Sequence, residues 1–124
     1  TCLEAFAGAD DGSYREFNFS PSRAWAAYGF ARYRERSGWT CPVDLRADVE
    51  RTDDCLELAV VLPASALPSG GRSTLALSAV IESADGSVSY WALRHPAGRP
   101  DFHHRDGFAL PLDALQPGFT ETAS

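Results

Sequence analysis

Turn-forming clusters recur along this chain about every ten residues, and that spacing confines it to short strands joined by tight connections. Asp10-Asp11-Gly12-Ser13 and Ser20-Pro21-Ser22 are turns. Thr52-Asp53-Asp54 separates two apolar-alternating runs, as a hairpin loop does. Ser69-Gly70-Gly71 and Asp85-Gly86-Ser87 repeat the signal, and Pro96, Gly98 and Pro100 open a long loop that ends near His103 and His104.

Between these breaks the apolar residues alternate with period two, as half-buried strands require. Leu56, Leu58, Val60 and Leu62 share one face, with Glu57 and Ala59 on the other. Leu75, Leu77 and Ala79 alternate with Ala76 and Ser78, and Phe17 and Phe19 with Glu16 and Asn18. Val88, Tyr90 and Ala92 alternate with Ser89, Trp91 and Leu93. The pattern predicts about eight strands, near 2–7, 14–20, 25–34, 44–51, 55–62, 73–82, 87–94 and 107–112. Their regular spacing predicts an all-β protein, an antiparallel β-sandwich with a partly solvated sheet. Residues 24–36 carry helix-compatible residues, but Trp25, Tyr28, Phe30 and Tyr33 fit neither period, and the segment is read as a strand. Residues 63–67 are expected to form at most one helical turn between strands.

A length of 124 residues fits one domain, and 44% hydrophobic residues suffice for one core. The domain is expected over residues 1–115, with a polar, disordered tail over 116–124. Thr1-Cys2-Leu3-Glu4-Ala5-Phe6 already reads as the middle of a domain, so further strands are expected upstream. The net charge of −6 argues against nucleic acid, whose phosphates call for a basic stripe, and against docking on an anionic membrane. No apolar run approaches the roughly 20 residues of a spanning helix, so no membrane insertion is expected in this segment. Cys2, Cys41 and Cys55 are odd in number and lack zinc-ligand spacing. Buried free thiols are the expectation, with a mild lean to the cytoplasm.

Two blocks stand out. One is Tyr14-Arg15-Glu16-Phe17-Asn18-Phe19-Ser20-Pro21-Ser22 with Trp25-Ala26-Ala27-Tyr28. The other runs from Tyr90-Trp91-Ala92-Leu93-Arg94-His95-Pro96 to Pro100-Asp101-Phe102-His103-His104-Arg105-Asp106. Through these blocks the chain resembles the bacterial DOMON-like domain, from Cys2 to about Leu115. That family is related to family-nine carbohydrate-binding modules and to the DOMON domains of cellobiose dehydrogenase and dopamine hydroxylase. The resemblance implies a β-sandwich that binds a sugar or a haem, with a longer N-terminus than this chain has. DOMON cytochromes commonly hold haem iron through Met and His. This chain has no Met, which leaves bis-His ligation as the haem alternative.

The expected function is therefore a non-enzymatic module for a carbohydrate or similar small ligand. A haem-binding electron-transfer domain and an interaction domain with no small ligand are the alternatives. No cofactor is expected apart from that possible haem. The candidate ligand-binding residues are Trp91, Arg94, His95 and His103 around the long loop, with Trp39 as a stacking platform. His103 and His104 are adjacent, so on extended chain only one of them faces a given site. Trp25 and Trp91 fit a sandwich core equally well. Glu4, Glu16 and Asn18 form a polar set that is either a solvated face or a group that hydrogen-bonds ligand hydroxyls. A glycosidase pair is a weaker reading of the two acids. No nucleophile elbow, phosphate loop, dinucleotide fingerprint or zinc-protease motif occurs, so no catalytic residue is assigned.

Overall fold

The computed structural model describes residues 1–69, 72–112 and 121–123. Ten strands follow in chain order: β1 (Cys2–Ala9), β2 (Tyr14–Phe19), β3 (Trp25–Arg32), β4 (Glu35–Arg36), β5 (Ala47–Arg51), β6 (Leu56–Val60), β7 (Ser73–Glu82), β8 (Val88–Ala92), β9 (Leu110–Pro111) and β10 (Glu121–Ala123). The connections include two single 3₁₀ turns, Ala64–Ala66 and Arg105–Gly107. Every strand pair is antiparallel. A large sheet runs β4-β3-β2-β1-β7-β8, with β9 added to β7, and a smaller sheet runs β10-β6-β5. The protein is all-β, with one sheet layered on another as in a β-sandwich.

Period-two alternation decides which sheet face each residue joins. Leu3, Ala5 and Ala7 of β1, Phe17 and Phe19 of β2, and Leu75, Leu77 and Ala79 of β7 point to one side. There they meet Leu45, Ala47 and Leu58 of the small sheet and its approach, and Ala66 of the 3₁₀ turn. The outer face of the small sheet is polar, with Glu50 directly opposite Glu57. On the other side of the large sheet lies a second, smaller cluster of Phe6, Tyr14, Phe30, Ala76 and Phe108. Nothing from the small sheet covers this second cluster. The chain between β8 and β9, residues 93–109, folds back over it.

Gly8 makes that return possible. A Cβ there would overlap the Arg105 guanidinium and come within 2.8 Å of the Phe108 ring. With hydrogen in its place, Arg105 reaches across β1 and donates to the Ala9 carbonyl at 2.6 Å.

The eight expected strands correspond to β1, β2, β3, β5, β6, β7, β8 and β9, and three features differ from expectation. The expected strand 25–34 ends at Arg32, because Arg34 takes a left-handed conformation (φ 54°) and turns the chain into β4. The expected strand 107–112 is reduced to Leu110–Pro111. Gly107 closes a 3₁₀ turn, and Pro111 has no N–H to extend a ladder. Within the tail expected to be disordered, Glu121–Ala123 instead pairs with Leu56, Glu57 and Leu58 of β6. That edge of β6 offers unpaired backbone groups that a short strand can satisfy. Residues 116–120 and 124 lie outside the described residues.

Phe17 is fully buried at the centre of the main core. Phe17→Ala is expected to lower the unfolding free energy by about 3–5 kcal/mol, read from urea denaturation. Val61 is 83% exposed, and Val61→Ala is expected to change it by less than about 0.5 kcal/mol.

Candidate functional site

The face opposite the main core carries polar side chains in register. Glu4 of β1 stands directly beside Asn18 of β2 and Ser78 of β7. One step along, Glu16 of β2 stands beside Phe6 of β1, so the two acids are diagonal neighbours on one face. The Ser78 hydroxyl donates to Glu4 Oε2 at 3.1 Å. The Asn18 amide, with its nitrogen turned toward the acceptors, donates to Glu4 Oε1 and to the Phe17 carbonyl, each at 3.3 Å.

Above this row the 93–109 loop places His103. Its ring stands edge-on to Phe6 at 5.1 Å and to Phe30 at 5.1 Å. The Tyr14 hydroxyl accepts a hydrogen bond from the Arg34 backbone N–H at 2.9 Å and lies 2.8 Å from His103 Nδ1. Since its oxygen already accepts from Arg34, the hydroxyl proton is directed to Nδ1. The imidazole then carries its own proton on Nε2, which faces Glu16 Oε2 at 3.8 Å. This assigns the tautomer from the bonding pattern. Burial pushes His103 below the ordinary histidine range, and the Arg34 charge adds to that against the opposing pull of Asp101. Both effects keep the ring neutral.

Asp101 fixes the loop from its other side. Its carboxylate accepts from Arg34 Nη2 at 2.9 Å, from the Tyr33 hydroxyl and from the His103 backbone N–H at 3.2 Å. Burial works against ionisation there, but the Tyr33 and Arg34 donors hold Asp101 below the usual carboxylate range. The left-handed Arg34 is thus tied at its backbone to Tyr14 and at its guanidinium to Asp101, which offsets the strain of its conformation.

Between sheet and loop lies a cavity of about 190 Å³ lined by Glu4, Phe6, Arg34, Val80, Tyr90, Pro100, Asp101, Phe102 and His103. The half-buried Glu4 carboxylate, the His103 imidazole and the paired Arg34 and Asp101 meet there beside aromatic side chains. Burial raises Glu4 above the normal carboxyl range, opposed by the Ser78 hydrogen bond. Burial also raises Glu16, and the Glu4 charge adds to it. Among the described residues neither acid forms a salt bridge with an arginine, and no group of three or more His, Cys, Asp and Glu side chains is arranged to hold a metal ion.

The structure brings only part of the sequence-derived set to this cavity. His103 lines it. His95 is exposed and packs on Phe102 at 6.0 Å, one ring away from it. His104 points outward and caps the 3₁₀ turn by accepting from the Asp106 N–H at 3.1 Å. Trp91 pairs with Ala79 on β7 and so points to the opposite sheet face, 62% exposed, its indole N–H on Ser89 Oγ. Arg94 is exposed beside the loop, its carbonyl against Gly107. Trp39 also lies beyond the sheet, edge-on to Phe17 and covered on one face by Arg15 at 4.2 Å. It lines a separate cavity of about 220 Å³. Arg15 is committed there to the Ala66 and Leu67 carbonyls at 3.0 and 2.7 Å. Tyr14, Ser78, Tyr90 and Phe102, not assigned to a site from sequence, complete the cavity and its frame together with Arg34, which pairs with Asp101 and with neither Glu4 nor Glu16. In the sequence it was signalled by His103 and by the polar interruption of apolar strands at Glu4, Glu16 and Asn18. No protein-family model, characterised protein or solved structure matches the chain.

The shifts have opposite consequences for stability. Glu4 and Glu16, raised from 4.5, bind protons more tightly in the folded state. Their contribution is fully present below the unfolded value and is lost as pH rises through the folded one. His103, lowered from 6.5, costs stability as pH falls from there through its folded value. Glu16→Gln is therefore expected to gain stability over the wild type between about pH 4 and about pH 7, measured by urea midpoints across that range. A difference between variant and wild type that stays constant with pH would contradict the assigned environment of Glu16.

Proposed function

We propose that this chain is a non-catalytic ligand-binding module of DOMON-like type, which takes a small hydroxyl-rich ligand such as a carbohydrate in the cavity beneath the 93–109 loop. The observation that carries this reading is the convergence of the Glu4 carboxylate and the His103 imidazole on a cavity walled by Phe6, Tyr90 and Phe102. Such a site combines apolar ring faces, which match the C–H faces of a sugar, with a few placed acceptors and donors that fix its hydroxyls. At about 190 Å³ the cavity is smaller than the roughly 300–1,000 Å³ of common ligand pockets, which favours a single ring over an extended chain. The all-β layered architecture agrees with the resemblance noted in the two sequence blocks.

The haem alternative has less support. Bis-His ligation calls for a second histidine at the cavity that His103 lines, whereas His95 is exposed against Phe102 and His104 accepts from the Asp106 N–H. For membrane contact, no helix among the described residues is long and apolar enough to cross a bilayer.

Titration with a panel of monosaccharides, followed by amide and aromatic NMR shifts, tests the proposal. Saturable shifts are expected at Phe6, Tyr90, Phe102 and His103. His103→Ala is expected to weaken binding about tenfold, the worth of one good polar contact, while Trp91→Ala leaves it unchanged. The reverse pattern would move the ligand to the opposite sheet face. A saturable haemin Soret shift abolished by His103→Ala, with no saccharide binding, would replace the proposal with the cytochrome-like reading.

A further inference from the structure

Resting on the binding-module reading, we infer that the ligand of this cavity carries a protonated amine beside its hydroxyls, an amino sugar being the simplest case, and that Glu4 receives the ammonium. The fold leaves Glu4 without a charged counterpart at salt-bridge distance among the described residues. Glu4 lines the cavity, and its donors, Ser78 and Asn18, are both neutral. Glu16 lies one row away, 8% exposed, with the His103 Nε2 at 3.8 Å as its nearest partner of cationic type. Burial and the Arg34 charge both push that ring toward its neutral form.

The neighbouring cations are already committed. Arg34 is paired with Asp101 at the rim at 2.9 Å. Arg36 lies over the Tyr28 ring at 4.4 Å, on the β4 side. All eleven basic side chains of the protein are arginines, so no lysine ammonium exists to reach inward. Half-buried Glu4 and buried Glu16 therefore share one sheet face with no arginine at salt-bridge distance among the described residues, and the Arg34 and Arg36 charges act only on Glu16, from farther off. Charges removed from water in this way are costly unless something of opposite sign meets them.

The walls have the complementary chemistry. Tyr90 and Phe102 line the cavity together with Glu4, over the buried Phe6, and aromatic faces attract cations through their quadrupole. A compact ammonium on a small polar ring satisfies both features: a charge-assisted hydrogen bond to Glu4 and cation–π contact with the rings. A neutral sugar supplies the hydroxyls but not the charge. An anionic sugar would face Glu4, Glu16 and the overall charge of −6.

Three sugars of nearly one shape separate these cases: glucosamine, which is cationic at neutral pH, glucose, and N-acetylglucosamine, in which the amine is neutralised. Calorimetric titration of the wild-type chain at low salt is expected to show glucosamine binding at least about tenfold tighter than either neutral sugar. Glu4→Gln, which keeps the shape, is expected to remove that preference, so that glucosamine and glucose bind the variant within about twofold of one another. Equal affinity for all three sugars would overturn the inference and leave the binding-module reading standing. So would equal losses for glucose and glucosamine in Glu4→Gln. Failure of all three to bind the wild type would overturn the inference and also count against the module reading. The wild-type comparison decides the matter even where the variant does not fold.

Discussion

The Tyr14 hydroxyl is the point on which the cavity side of the large sheet depends. It accepts from the Arg34 backbone and is directed to His103, so one oxygen joins the β3–β4 turn, strand β2 and the long loop. The tautomer of His103 follows from it, and with the tautomer the direction in which the imidazole presents its proton. The second anchor, Asp101, accepts from Arg34, Tyr33 and the His103 N–H, and so closes the same loop onto the same turn. The third is steric: the missing side chain of Gly8 admits Arg105 and Phe108. Each anchor uses a different kind of physics, and together they hold a loop of irregular backbone over a flat sheet.

A single sheet serves two purposes because its strands alternate. In β1, Leu3, Ala5 and Ala7 belong to the main core while Glu4 and Phe6 line the cavity on the other face. In β7, Leu75, Leu77 and Ala79 face the core while Ala76 and Ser78 lie on the other face, beside Phe6 and Glu4. A shift of one residue in pairing would exchange the two sets and bury Glu4 in the apolar core, so the burial of one face fixes the composition of the other.

That alternation made the fold legible in the sequence. Leu56, Leu58 and Val60, or Phe17 and Phe19, declare their face by spacing alone, and turn residues mark where each strand stops. The site was legible only in its sheet half. Glu4, Glu16 and Asn18 were visible as polar residues inside apolar strands, but their meeting with His103 depends on a loop that no periodicity describes. Trp91 and Trp39 stood out by residue type, yet type does not say which side of a sheet a ring takes. Tyr90, which lines the cavity, and Trp91, which does not, differ only by one step of alternation. The turn at Arg34 was hidden for a different reason: its left-handed backbone lies in a sequence, rich in arginine and aromatic residues, that does not announce a turn.

The loop that covers the cavity also sets an order of events. Tyr14 and His103 are 89 residues apart in the chain, and Arg105 reaches Ala9 across 96. Contacts of such separation form late, because the sheet between them must already exist to bring the ends together. After Leu93 bonds to Leu77, the loop's backbone bonds among the described residues are local turns, so its attachment to the sheet rests on side chains. Such a segment can part from the sheet without unravelling the ladder from β4 to β8 beneath it. Its amide protons therefore exchange with solvent by a local opening of lower cost, while those of β1 and β7, paired on both edges, wait for the whole domain to unfold. Exposure of the cavity follows that cheaper event and is decoupled from the stability of the protein as a whole.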